Sequence, residues 1–356
     1  MIRIDAPYPV WVGAGLMAEA QSLLPPGRFF LVSDRNVEAA GWLRRVEVAL
    51  APRVVGTYVL PPGEENKNFS RLEKLLEVML EARVERSDHL VAIGGGMVGD
   101  LAGLSAALLK RGCGFVQVPT SLLAQADAAI GGKTAVNTRQ GKNLIGAFHA
   151  PATVIADIDT LATLPRDELC AGYAEVVKYG LIGDARFFDW CEAHADALLA
   201  GDERALLHAV ETSLRAKIRH VVGDERDLSG QRALLNFGHS FGHAIETETG
   251  MRHGEAVALG MVLAFRLSAQ RGHCPQADAE RVATHLARVG LPTRLEGIAP
   301  ARLAERMGHD KKRESGRLRL VLARRIGEAF LDASVSGPEL EAFLEREAES
   351  ARIAVG

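Results

Sequence analysis

The segment Asn236-Phe237-Gly238-His239-Ser240-Phe241-Gly242-His243-Ala244, followed by His253-Gly254-Glu255, places three of the chain's eleven histidines within fifteen residues. Imidazoles gathered this closely are the makings of a metal site. His239 and His243 are four apart and share one face of a helix; His253 follows Gly250, where a helix can end and the chain fold back. The glycines among them are expected to clear space around the rings. A remote carboxylate would complete the site. The candidate is Glu175 in Ala174-Glu175-Val176-Val177-Lys178-Tyr179-Gly180, where a charged pair interrupts an apolar stretch. One glutamate and two histidines leave a coordination position open, as catalytic zinc sites do and structural ones do not. Spacing alone admits His243 as readily as the other two, and a histidine pair at helical spacing is also an ordinary surface or core feature. His-Glu-x-x-His metalloprotease chemistry fits worse, because it needs Glu directly after the first His and position 240 is Ser.

Two further segments could bind phosphates. Gly94-Gly95-Gly96-Met97-Val98-Gly99-Asp100 follows the strand-like His89-Leu90-Val91-Ala92-Ile93 and opens a helical stretch over Leu101–Lys110. Glycines there let backbone N–H groups approach a pyrophosphate at a helix N-terminus. The dinucleotide fingerprint is incomplete, since no acidic strand end follows about twenty residues on. Asp34, ending the earlier strand Phe29-Phe30-Leu31-Val32-Ser33-Asp34, is the candidate for the adenosine side. The second segment runs through Pro119-Thr120-Ser121, Asp127, Gly131-Gly132-Lys133-Thr134 and Gly141-Lys142-Asn143. It reads as a glycine-interrupted loop whose hydroxyls, carboxylate, amide and ammonium groups suit a polyhydroxylated, phosphorylated ligand. Lysine usage points the same way. Of 42 basic residues only nine are Lys, and all but Lys74 and Lys110 (Lys67, Lys133, Lys142, Lys178, Lys217, Lys311 and Lys312) fall in or beside segments that look functional on other grounds. An ammonium is a compact point charge that a guanidinium does not replace in tight quarters.

The elements that must hold these groups are legible in pattern. Strand-like runs alternate with the amphipathic Ser70–Ala82 in the first third, Phe115–Pro119 and Val154–Asp157 add strands, and a parallel α/β sheet is expected. From about Leu161 long Ala/Leu/Arg/Glu-rich stretches take over, over 184–199, 203–219, 253–270 and 277–288. The expected organisation is an α/β domain over 1–160 and an α-helical metal- and substrate-binding domain over 161–356, packed closely around a cleft. A chain of 356 residues, 47% hydrophobic and 24% charged, is ordinary for a soluble two-domain enzyme. A net charge of −3 offers no case for nucleic acid. No apolar run approaches the roughly 18 residues of a membrane span. The N-terminal residues lack a signal-peptide core, and Cys113, Cys170, Cys191 and Cys274 are scattered, as expected of cytoplasmic thiols.

Taken together these motifs resemble the 3-dehydroquinate synthase family. The resemblance runs from about Arg28 to beyond Lys312, through Pro61-Pro62-Gly63-Glu64-x-x-Lys67, Ile93-Gly94-Gly95-Gly96-x-x-Gly99-Asp100, Gln117-Val118-Pro119-Thr120, Gly131-Gly132-Lys133-Thr134, the Glu175 segment, the His239 block and Asp310-Lys311-Lys312. It implies an N-terminal NAD-binding α/β domain, a helical C-terminal metal domain and a homodimer. It also implies conversion of 3-deoxy-D-arabino-heptulosonate 7-phosphate to 3-dehydroquinate and phosphate, in the shikimate route to aromatic amino acids. Carried across by motif, Zn2+ (or Co2+) sits on Glu175, His239 and His253, while His243 handles a proton. NAD+ contacts Asp34, Asn36, Glu64, Lys67, Gly95, Gly96, Met97, Asp100, Thr120, Ser121 and Lys142. The phosphorylated sugar acid is held by Asp127, Lys133, Asn143, Lys178, Lys217, Arg232, Asn236 and one of Lys311 and Lys312, with Arg111 on the phosphate; Lys133 and Arg111 also count among the catalytic groups.

One departure stands out. Ten residues past Lys217, where the family has an acid–base Glu, this chain has Asp227, and the loop to Arg232 is one residue longer; Glu225 is an alternative. Metal-dependent alcohol or glycerol dehydrogenases share the expected architecture, but their metal site opens with Asp and a His four residues on. Here Glu175 is followed at that spacing by Tyr179. A sibling sugar-phosphate cyclase and a catalytically silent NAD-binding protein are the other readings. The silent one has no need of a metal and an acid–base residue.

Overall fold

A computed structural model describes residues 1–224, 231–309, 313–314 and 317–353. The chain divides into two compact units, one of residues 1–169 and 201–228, the other of 170–200 and 229–356. The helix Glu203–Val221, drawn with the helical half on sequence, thus groups with the first unit.

The first unit is built on nine strands: β1 (Ile2–Asp5), β2 (Pro9–Gly13), β3 (Phe29–Asp34), β4 (Val54–Leu60), β5 (His89–Gly94), β6 (Gly114–Pro119), β7 (Lys133–Thr138), β8 (Gly141–Phe148) and β9 (Thr153–Asp157). Seven form one sheet in the order β1-β2-β9-β6-β5-β3-β4, parallel except for the antiparallel β1–β2 pair. Its central strands are buried on both faces, which is why they read as unbroken apolar runs. Phe30, Val32, Leu90 and Ala92 point into one core with helices Phe69–Glu81 and Gly96–Leu108; Phe29, Leu31, Val91 and Ile93 point into the other with helix Trp42–Leu50. Each fully buried Val, Leu, Ile or Phe among them contributes about 1.5–3 kcal/mol.

Two expectations are corrected in this unit. The helix after the glycine loop begins at Gly96 and ends at Leu108, because Lys110 (φ 48°) and Arg111 (φ 68°) turn left-handed. The segment read as a polar loop is largely the β7–β8 hairpin, in which Lys133 pairs with Phe148 and Val136 with Ile145. Gly131 and Gly132 do mark the bend before β7, with φ of 103° and 63°, whereas Gly146 serves the ladder: a Cβ there would stand 2.0 Å from the Thr134 carbonyl oxygen.

The second unit contains helices Ala185–Leu199, His239–Thr249, His253–Gln270, Gln276–Arg288, Pro300–His309 and Gly337–Ile353, and most of Arg166–Gly183. Residues 171–180 and most of 254–268 are buried, so these two helices are enclosed over most of their surface, and Glu175 and Lys178 are charged groups within that burial. Asp184 caps Ala185–Leu199 by accepting from the Phe187 N–H at 3.1 Å. The unit is not wholly helical: β10 (Arg313–Glu314), β11 (Arg317–Arg325) and β12 (Glu328–Ser336) form an antiparallel sheet that the sequence reading did not anticipate.

Candidate active site

The order of the seven-stranded sheet reverses between β3 and β5: the chain passes from β3 outward to β4, then returns to the other side of β3 and runs on to β6. In such sheets the crevice at the carboxyl ends of the strands flanking the reversal takes ligands. Register brings the expected dinucleotide residues to that edge. Ser33 pairs with Ile93, Gly94 with Pro119 and Asp34 with Leu60, so Asp34, Gly95 to Asp100, Thr120 and Ser121, and the Glu64–Lys67 turn follow the ends of four adjacent strands. Gly95 is the N-cap of its helix and no side chain caps it, which leaves the first-turn N–H groups for an anion. A Cβ on Gly95 would stand 3.4 Å from Ser121 Oγ and narrow the cradle. Gly99 serves packing, since a Cβ there would lie 2.7 Å from Gln117 Oε1. These residues fit a dinucleotide.

Polar ties hold that edge together. Lys67 is buried, with Nζ 2.5 Å from Asp100 Oδ2, 3.5 Å from Glu64 Oε1 and donating to Asn143 Oδ1 at 2.5 Å. Burial would depress its pKa, but Asp100 and Glu64 outweigh that and hold it above the ordinary lysine value. Asp34 Oδ1 accepts from the N–H groups of Asn36 and Val37 at 2.8 and 3.0 Å, capping the short helix Arg35–Ala39. Burial raises its pKa, and those two bonds oppose the rise. Asn137 was missed on sequence: its amide donates to Glu64 Oε1 at 2.8 Å and its Oδ1 accepts from the Asn143 N–H at 3.1 Å, tying the hairpin to the Glu64 turn. A polar residue within a strand pattern is its only trace in the sequence.

The metal candidates come together in the second unit. Nε2 of His239 lies 3.5 Å and Nε2 of His253 3.6 Å from Glu175 Oε1, and the ligand atoms of the three residues all fall within 4.8 Å of one another. Each imidazole has its other nitrogen engaged away from Glu175. His239 Nδ1 is 3.2 Å from the Phe237 carbonyl oxygen, and His253 Nδ1 is 3.2 Å from Glu246 Oε2. An Nδ1–H donated outward leaves the Nε2 lone pair free to meet a cation, which is how metal-binding histidines are held. Two imidazoles and a carboxylate suit zinc or cobalt, and the set fits such an ion. Burial drives the His239 pKa down to about 3, so it is neutral, as a ligand must be. Burial also opposes a charge on His253, but Glu175 and Glu246 prevail and raise it to about 9, so a cation entering beside Glu175 displaces a proton from this ring.

The glycines do different work from that expected. They clear room for backbone, not for rings: a Cβ on Gly260 would stand 2.0 Å from the Gly238 carbonyl oxygen, and one on Gly254 1.9 Å from that of Ala171. The first closes helix His239–Thr249 onto His253–Gln270; the second sets the start of the latter against the helix of Glu175. His243 is exposed and lies outside the three-residue cluster, its ring centroid 5.4 Å from that of His239 and 5.9 Å from that of His253.

The remaining expected residues divide between the units. In the first, Lys217 is buried on helix Glu203–Val221 and donates to the carbonyl oxygen of Asp127 at 2.6 Å and to its Oδ2 at 2.8 Å. Asp127 itself sits in the π-helical turn Ala124–Ala128. Lys133, Lys142 and Asn143 are on the hairpin, and Arg111 is exposed. In the second, Lys178 is buried and pairs with Glu175 Oε2, Arg232 is buried, and Asn236 is half-buried. Glu225, Asp227, Lys311 and Lys312 lie outside the described residues.

Comparison with known proteins places the chain. A family model described as 3-dehydroquinate synthase N-terminal matches residues 57–171, and one described as 3-dehydroquinate synthase C-terminal matches 172–313. The 3-dehydroquinate synthase of Rhodospirillum rubrum is 54% identical over 91% of this chain and 88% of its own. Among solved structures, 2-epi-5-epi-valiolone synthase from Streptomyces hygroscopicus subsp. jinggangensis, with NAD+ and Zn2+ bound, is similar at a TM-score of 0.88 and 29% identity over 98% of this chain and 99% of that one. A 2-deoxy-scyllo-inosose synthase complexed with carbaglucose-6-phosphate, NAD+ and Co2+ gives 0.86 and 25% over 96% and 97%.

Proposed function

The chain belongs to the 3-dehydroquinate synthase family, and from that premise we propose how its own residues carry the conversion of 3-deoxy-D-arabino-heptulosonate 7-phosphate to 3-dehydroquinate and phosphate. The cation site of Glu175, His239 and His253, with both Nδ1 atoms engaged outward, is the observation that supports this reading most directly. At the carboxyl edge of β4-β3-β5-β6, NAD+ would be held by Gly95, Gly96 and Met97 at the helix N-terminus and by Asp34, Asn36, Glu64, Lys67, Asp100, Thr120, Ser121 and Lys142. When bound, NAD+ supplies a transient hydride acceptor and the divalent cation polarises the oxygen being oxidised.

Ketone formation acidifies the neighbouring C–H, and loss of that proton expels phosphate; reduction, ring opening and aldol closure then give the carbocycle. The protein's part is to hold charge and move protons. His243, exposed beside both ligand rings, transfers the proton, and Asp227 or Glu225 takes the second acid–base role. Lys133, Lys178, Lys217, Arg232 and one of Lys311 and Lys312 offset the substrate's carboxylate and phosphate, while Asp127, Asn143 and Asn236 bind hydroxyls. The chain works in the cytoplasm, where its four free cysteines remain thiols, as a homodimer in which Arg111 reaches the phosphate in the partner's site. Among the described residues no helix is long and apolar enough to cross a membrane.

The reaction is redox-neutral overall, which separates it from a dehydrogenase. With NAD+ far below the substrate concentration, phosphate release should continue for many turnovers without net NADH. One NADH accumulating per substrate consumed would instead establish a dehydrogenase.

A further inference from the structure

Helix His239–Thr249 carries three polar groups on one stripe, since His239, His243 and Glu246 stand at i, i+4 and i+7. The third was not among the residues singled out on sequence. Glu246 is 8% exposed, and its Oε2 stands 3.2 Å from Nδ1 of His253. Burying a carboxylate is costly unless it meets a donor, and His253 Nδ1–H is one. The two ligand imidazoles are therefore held unequally: His239 donates to a neutral backbone carbonyl, His253 to a carboxylate.

We propose that Glu246 is the positioning residue of the cation site, accepting the Nδ1 proton of His253 so that the ring presents a neutral, electron-rich Nε2 beside Glu175. This rests on the assignment of Glu175, His239 and His253 as the cation's ligands. Charge balance gives Glu246 a second effect. The Lys178 ammonium lies against Glu175 Oε2 and offsets part of that ligand's charge. Glu246 restores a negative charge next to the site, which lowers the net charge that a bound divalent ion would leave in a buried setting. A neutral acceptor in its place would keep the ring's orientation but not the charge.

Zn2+ affinity of the purified full-length protein, by competition with a chromogenic chelator, and the visible spectrum of the Co2+-loaded form test this without assaying turnover. Glu246→Gln should weaken Zn2+ binding about 10–100-fold and shift the Co2+ bands, and Glu246→Ala should weaken it at least as much. Glu248→Gln is the control. Glu248 accepts from Arg302 and Arg306 at 2.7 and 2.6 Å on the same helix and belongs to a different contact, so its loss should lower thermal stability and leave Zn2+ affinity unchanged. Should Glu246→Ala fail to fold, the isosteric Glu246→Gln carries the test. Wild-type affinity and unshifted bands in Glu246→Gln would overturn the proposal, as would an equal loss in Glu248→Gln. A wild type that takes up neither Zn2+ nor Co2+ would bring down the ligand assignment itself, an outcome distinct from both.

Discussion

His239 and His243 stand one turn apart on the same helix, yet only His239 brings its Nε2 to within 3.5 Å of Glu175, with Nδ1 held by a carbonyl oxygen. His243 is exposed beside the cluster. On the proposed assignment His239→Ala removes one of three ligands, and the purified protein should lose its zinc together with its activity. His243→Ala should retain near-stoichiometric zinc and turn over about 10²–10⁴-fold more slowly, the usual contribution of general acid–base help. Metal analysis of the two variants beside the wild type reads the difference, and zinc loss of equal extent in both would make His243 a ligand and His253 the doubtful member. Spacing could not separate the two, because i and i+4 put both on one face. The discriminating feature is which imidazole stands with Glu175 and His253 in the cluster, and that exists only once the chain is folded. Glu246 was hidden for the same reason: its partner His253 lies beyond the break at Gly250.

Close approach of backbones, more than side-chain packing, sets the distance between the elements that carry the site. Gly238, Gly242 and Gly260 let helix His239–Thr249 lie on His253–Gln270, and Gly254 lets the latter begin against Ala171, one turn before Glu175. Gly260→Ala forces a methyl to 2.0 Å from a carbonyl oxygen that belongs to backbone and cannot swing away. A loss of at least about 2 kcal/mol is expected, toward the upper end of overpacking costs, with weaker zinc binding as the ligand helices separate. Gly183→Ala is the companion variant, since nothing lies within 4 Å of a Cβ there. It should cost nothing, or gain up to about 1 kcal/mol from the reduced backbone freedom of the unfolded chain. Thermal and denaturant unfolding of the pair checks this, and equal stability of both variants would refute the close-approach argument. The sequence exposed these glycines without their purpose, because periodicity finds a helix but not the surface it lies on. The same limit hid β11 and β12, whose Arg-Leu alternation at 317–320 sits among Arg- and Glu-rich helices and was absorbed into them.

At the scale of the whole molecule, a linear reading draws one boundary near residue 160, whereas the chain leaves the first unit, returns to it over 201–228 and leaves again. Composition cannot show a return: helix Glu203–Val221 looks like its helical neighbours, and only its contacts in the folded chain, the Lys217–Asp127 pair among them, reveal what it packs on. Arg111 poses a related question about what lies beyond one chain. Lys110, Arg111 and Gly112 have φ of 48°, 68° and 122°, and the first two are not glycine. Such residues cost on the order of 1–3 kcal/mol each and persist where a function needs them. Lys110 is held by Glu85 at 2.8 Å, but no ion pair or hydrogen bond among the described residues holds the exposed Arg111 guanidinium. In the proposed homodimer it serves the neighbouring chain's phosphate site. Arg111→Ala should then weaken substrate binding while NAD+ and zinc stay in place. Glu175→Ala should lose zinc, and each variant alone should be nearly inactive. Dissociated and reassorted together, they form mixed dimers with one intact site, made from the zinc ligands of one chain and the arginine of the other. About a quarter of wild-type specific activity should return at random pairing. If Arg111 instead served its own chain, every mixed dimer would lack a complete site, and mixing would restore nothing.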